Sequence, residues 1–99
     1  MMADERYNLR LYVAGSTPRS TLAVKNIRSI CERHLPGVYD LEVIDIYQQP
    51  EAAAGAQIIA APTLVKLGPG PVRRAIGDLS NEQKVLSTLS LPTSAVHEL

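Results

Sequence analysis

Apolar and polar positions alternate over "LRLYV", with Leu9, Leu11 and Val13 on one side and Arg10 and Tyr12 on the other. That period of two predicts a half-buried strand, with Arg10 and Tyr12 turned to solvent. The period then lengthens. Val24, Ile27, Cys31 and Leu35 recur at three- and four-residue spacing, widened by Ala23 and Ile30, while Lys25, Arg28, Glu32 and Arg33 lie mostly elsewhere. This predicts an amphipathic helix running to about His34. Thr17 followed by Pro18 supplies its start, an N-cap oxygen and then a residue whose missing N–H costs nothing at the first helical position.

Pro36 and Gly37 break the helix, and "LEVIDI" restores a strand pattern through Leu41, Val43, Ile44 and Ile46. A strand, helix, strand unit of this kind joins parallel strands with right-handed connectivity. "QQPEAAAGAQII" predicts a short helix with Pro50 near its start and Gly55 weakening its end. "APTLVKL", the turn "GPGP" and "VRRAIG" predict a hairpin. Ser80 stands three residues before Gln83, the spacing of a capping box, ahead of a last helix whose apolar face carries Val85, Leu86 and Leu89 and which stops before Pro92.

Length and composition narrow the function classes. The chain has 99 residues, 45% hydrophobic and 20% charged, which suits one small globular domain. The expected organisation is a flexible segment over 1–8, one domain over 9–91 and a loose tail over 92–99. Small domains bury a limited share of their surface, so self-association is physically useful. Ten basic and ten acidic residues give no net charge, which argues against nucleic acid as a partner. No run approaches the roughly 20 apolar residues that span a bilayer, and "MMADERYN" lacks a signal peptide's pattern. A single cysteine, Cys31, makes no internal disulfide and fits a reducing cytoplasm. On the apolar helix stripe it reads as a small core side chain. His34 and His97 lack metal-ligand spacing and are expected to face solvent, so neither a metal nor a cofactor is expected. Asp78 and Gly77 read as turn residues.

The element order βαβαββα is that of a thioredoxin-like α/β domain with a mixed sheet. In that fold the proline of "AAPTLV", Pro62, is held cis beside the catalytic loop. Here the loop is "GSTPRS", so Ser16, Thr17, Pro18 and Arg19 stand where thioredoxins carry two cysteines.

Three longer stretches, "LRLYVAGSTPRS", "GVYDLEVIDI" and "AAPTLVKLGPGPVRRAIGDLSNEQKVL", together resemble the KaiB family of circadian clock proteins from Leu9 to Leu91. The resemblance implies a non-enzymatic regulator that binds the N-terminal ring of a KaiC-like hexameric ATPase and modulates its phosphorylation cycle, in timing or in a related stress response. It also implies fold switching between a tetrameric or dimeric ground state, βαββααβ, and a monomeric thioredoxin-like state that binds the ATPase. Pro62, Pro69 and Pro71 match family prolines in the rearranging half. Partner-binding candidates are Lys25, Tyr39, Asp40, Glu42, Gln57, Arg73 and Arg74. Lys25 also reads as a solvated helix charge, Tyr39 as a strand-edge ring, and Arg73 and Arg74 as pointing to opposite faces of their strand.

Departures from the family pattern carry information too. Thr88 and Ser90 flank Leu89 where cyanobacterial clock members have glycine and aspartate, an exchange associated in the family with easier access to the thioredoxin-like state. Asp40 and Glu42 replace alanine and lysine on the second strand, where the family meets KaiA. Reversed local charge argues against capture of KaiA here. Gln57 is commonly lysine and Gly70 commonly proline, which marks a divergent or non-cyanobacterial member. Two other classes compete. A thiol-free thioredoxin relative could bind glutathione beside Pro62 and use Ser16 or Thr17 on its thiolate, helped by Arg19. A sensory adaptor for a histidine kinase would be expected to carry an attached kinase region.

Overall fold

The computed structural model describes residues 6–58 and 61–92, so the expected loose tail and His97 lie outside the described residues. The element order is β1 (Tyr7–Val13), α1 (Pro18–His34), β2 (Tyr39–Asp45), α2 (Pro50–Gly55), β3 (Thr63–Gly68), β4 (Arg73–Ile76) and α3 (Glu82–Thr88). The strands form one mixed sheet in the order β2-β1-β3-β4. β1 runs parallel to β2 and antiparallel to β3, and β3 is antiparallel to β4. This is the thioredoxin-like arrangement expected from the element order.

Alternation along β1 produces two cores. Leu9, Leu11 and Val13 join Ala23, Ile27, Ile30 and Cys31 of α1, Leu64 of β3 and Val85 and Leu86 of α3 in the larger one. On the opposite face Tyr12, Ile44 and Val65 are covered by Ala52 of α2, its C-cap Ala56 and, beyond that, Ile58. Tyr12 is only 1% exposed, which corrects its expected place in solvent. The period-two pattern marks the face but does not reveal that a second helix covers it.

Helix ends follow local chemistry. Thr17 caps α1, its Oγ1 accepting from the Ser20 amide at 3.4 Å, with Pro18 at the first helical position. α3 departs from the expected capping box: Asn81, not Ser80, is the N-cap, its side chain accepting from the Lys84 amide at 3.1 Å. The Ser80 amide donates instead to Asp78 Oδ1 at 3.0 Å, so an Asx turn holds Ser80 outside the helix.

α2 and α3 close the same way. Beyond α3, the Ser90 amide donates to the Ser87 carbonyl and the Leu91 amide to the Leu86 carbonyl, with Ser90 at φ +55°. Beyond α2, Gln57 at φ +59° takes the matching position, with Ile58 bonded back to Ala53. These are Schellman closures in which a side-chain-bearing residue adopts the left-handed conformation that favours glycine. Ser90→Gly is therefore expected to raise stability by about 0.5 to 1 kcal/mol, read as a higher urea midpoint at unchanged slope.

Candidate functional site

The ends of β1 and β3 and the start of α1 meet where a thioredoxin carries its reactive pair. The Ala61–Pro62 bond is cis, and the Pro62 carbonyl accepts from the Gly77 amide at 2.9 Å. Tyr12 lies opposite Thr63, which brings Pro62 alongside the end of β1. Two hydroxyls of the loop hold the backbone. Buried Ser20 accepts at Oγ from the Ala14 amide at 3.0 Å, and Thr17 is committed to its cap. Asp45 Oδ1 accepts from Gly15 at 3.2 Å and from Tyr47 at 2.9 Å. Gly15 sits at φ +59°, a left-handed conformation that calls for glycine, while the Tyr47 ring lies at ordinary contact distance, 3.5 Å from where a Cβ would be.

Cys31 is buried in the larger core, and burial pushes its thiol up to about 12, far from a nucleophile's range. Among the described residues, no helix is long and apolar enough to cross a membrane.

The structure divides the partner-binding candidates among three places. Lys25 is exposed on α1, beside a groove that includes Gly15, Ser16, Val24 and Val43. Tyr39, Asp40 and Glu42 lie on β2, one edge of the sheet. Gln57, Arg73 and Arg74 gather at the other edge, about 14 Å away by strand spacing. There Arg74 donates to the Gln57 carbonyl at 3.0 Å and the Ala56 carbonyl at 2.7 Å, placing a cation on the C-terminal carbonyls of α2. Of the fold-switch candidates, Pro62 precedes β3, and Pro69, also after a cis bond, shares the β3–β4 turn with Pro71. Thr88 and Ser90 end α3.

The acidic residues of β2 are paired within the chain. Arg6 donates to both oxygens of Asp40 at 2.9 and 3.0 Å, and Arg10 donates to Glu42 at 3.2 Å. The Arg6 hydrogen bond holds the Asp40 carboxyl below its ordinary range. Asp40 and Glu42 thus each face an arginine of the same chain at the solvent-exposed surface. Tyr39 is half-buried and donates to Glu32 at 2.6 Å, and that bond pushes its hydroxyl up to about 12.

One cluster is absent from the sequence reading. The side chain of His34 is only 6% exposed, with Nε2 2.5 Å from Glu82 Oε2, and Arg33 pairs with the same carboxylate. His34 thus departs from its expected solvent position, because α3 starts against the end of α1. Asn26 adds a second tie, donating to the Asp78 carbonyl at 2.8 Å. No local signal links residues 48 apart.

The His34 hydrogen bond, then burial and Arg33, act on Glu82, with a net lowering from its ordinary value of 4.5. A depressed folded value means stability that is present above 4.5 and is lost as pH falls through the lower folded value. Glu82 is about a third exposed, so solvent screens the pair. Glu82→Gln is expected to cost about 1 kcal/mol at neutral pH. The gap between wild-type and variant urea midpoints should narrow on acidification below 4.5.

The described fold and loop define a class: a thioredoxin-like domain whose catalytic corner lacks the redox pair. Its relatives narrow that class. The family model described as "KaiB domain" matches residues 10–91. The circadian clock oscillator protein KaiB of Prochlorococcus marinus strain MIT 9312 is 52% identical over 91 residues, 92% of this chain and 87% of that protein. KaiB of Thermostichus vulcanus is 53% identical over 85 residues, 86% and 79% of the two chains. Among solved structures, the N-terminal domain of Synechococcus elongatus SasA superposes with a TM-score of 0.72 at 24% identity, over 91% of this chain and 89% of that one. The Deadhead thioredoxin of Drosophila melanogaster gives 0.69 at 15% identity, covering 88% and 81%. At those identities the two structures speak for the fold alone. The chain belongs to the KaiB family of circadian clock proteins.

Proposed function

We propose that the chain is a non-enzymatic cytoplasmic regulator that binds a KaiC-like hexameric ATPase and modulates its ATPase and phosphorylation cycle. The observation that carries this reading is a clock-family chain in a thioredoxin-like arrangement whose Thr17 and Ser20 hydroxyls are committed to backbone positioning. With Thr17 capping α1 and Ser20 pinning Ala14, function falls to surfaces. Lys25, Gln57, Arg73 and Arg74 are the residues proposed to meet the ATPase. The family's alternative ground state, βαββααβ in a tetramer or dimer, is proposed to exchange with the described form, with Thr88 and Ser90 favouring the latter.

Size exclusion and pull-down with the KaiC-like ATPase of the same cell, in ATP and in ADP, test the proposal. A complex that weakens in Lys25→Glu or Arg73→Glu is expected. No complex with either nucleotide sinks the reading.

A further inference from the structure

Beside β4 lies a groove of about 510 Å³, with walls from β4, α3 and the start of α1. Its apolar lining includes Ala75, Ile76 and Val85, and its charged lining is Arg19, Arg74, Lys84 and Asp78. Two of these charges are engaged: Arg74 by the carbonyls that end α2, and Asp78 by the Ser80 amide. Arg19 and Lys84 donate no side-chain hydrogen bond among the described residues, so the groove carries two cations that no hydrogen bond engages, with Arg19 within charge range of Asp78.

The adjoining strand is itself incomplete. Among the described residues, β4 pairs with β3 on one side and with no strand on the other, leaving its outer backbone groups open to a further strand. Arginine on a short edge strand is one way a protein discourages such pairing. Yet Val72 and Ile76, which bracket Arg73–Ala75, are 56% and 65% exposed, and large aliphatic side chains do not protect an edge.

We infer that this edge and groove take an acidic, extended segment of a partner protein, which adds as a strand to β4. Its carboxylates would meet Arg19 and Lys84 on the face that α1 and α3 cover, and its aliphatic side chains would meet Val72 and Ile76 on the opposite face. Side chains alternate along a strand, so a segment alternating aliphatic and acidic residues presents one kind to each surface. The inference goes beyond the ATPase reading, since it specifies the chemistry of the segment whichever protein supplies it.

The test uses the full isotope-labelled chain and short capped peptides in which valine alternates with glutamate, the same with lysine, and the glutamate peptide with alternate amides N-methylated. The glutamate peptide is expected to shift the amide resonances of Arg73–Gly77 and Lys84. The lysine and N-methylated peptides should bind about tenfold more weakly or worse. Lys84→Glu, at an exposed helix position, should keep the wild-type spectrum elsewhere and shift the preference toward the lysine peptide. Equal binding of the glutamate and lysine peptides overturns the inference, as does equal binding of the N-methylated peptide or the absence of shifts along β4 at millimolar peptide. The ATPase pull-down answers separately, so either proposal can fail alone.

Discussion

Tyr12→Ala is expected to cost about 3 to 5 kcal/mol, a large part of the roughly 5 to 15 kcal/mol that holds a small domain. Tyr12 is the largest member of the smaller core, packed with Ile44 and Val65 beneath α2. Removing the ring opens a cavity that a short alanine-rich helix has little means to fill. Tyr12→Phe keeps the ring and loses only the hydroxyl, so it should cost only about 1 kcal/mol. Urea unfolding of both variants decides the matter. A Tyr12→Ala loss as small as that of Tyr12→Phe would mean that α2 does not seal this face.

Leu89→Ala is the second large effect, expected at about 2 to 5 kcal/mol. Leu89 is fully buried in the larger core and stands at the C-cap of α3, where its amide donates to the Val85 carbonyl at 3.0 Å. α3 is only seven residues long, too short to persist without its apolar face. Truncating Leu89 should therefore loosen the helix and weaken its ties to Asn26 and His34. Leu67, 39% exposed on β3, is the control, with Leu67→Ala expected within about 0.5 kcal/mol of wild type. Hydrogen exchange should place the loss in α3 first. A global loss that leaves α3 as protected as the sheet would count against local loosening.

The two corrections at Tyr12 and His34 have the same origin. A period of two assigns Tyr12 to the face opposite Leu9 and Leu11, but whether that face is wet depends on where α2 lands. His34 follows a helical stripe and reads as solvent-facing until the distant Glu82 is laid against it. Even Ser80, a sound cap by spacing, lost its role to Asn81 when Asp78 took its amide. The candidate surface residues were legible only through the family resemblance, since exposed charges such as Lys25 and Arg73 leave no periodic trace.

By itself the sequence determined the seven elements, the Thr17–Pro18 start of α1, the apolar faces of β1, α1 and α3, the burial of Cys31 and the loop without thiols. Each depends on residues within one or two turns of one another, where spacing and side-chain chemistry act directly on the backbone. Only the tertiary structure decided that Tyr12 is buried, that Glu82 binds His34 and Arg33, that Arg6 and Arg10 pair with the acids of β2, and that β2 and β4 form opposite edges. Those outcomes join segments far apart in the chain. They depend on sheet order and helix placement, which emerge when all the apolar faces are buried together.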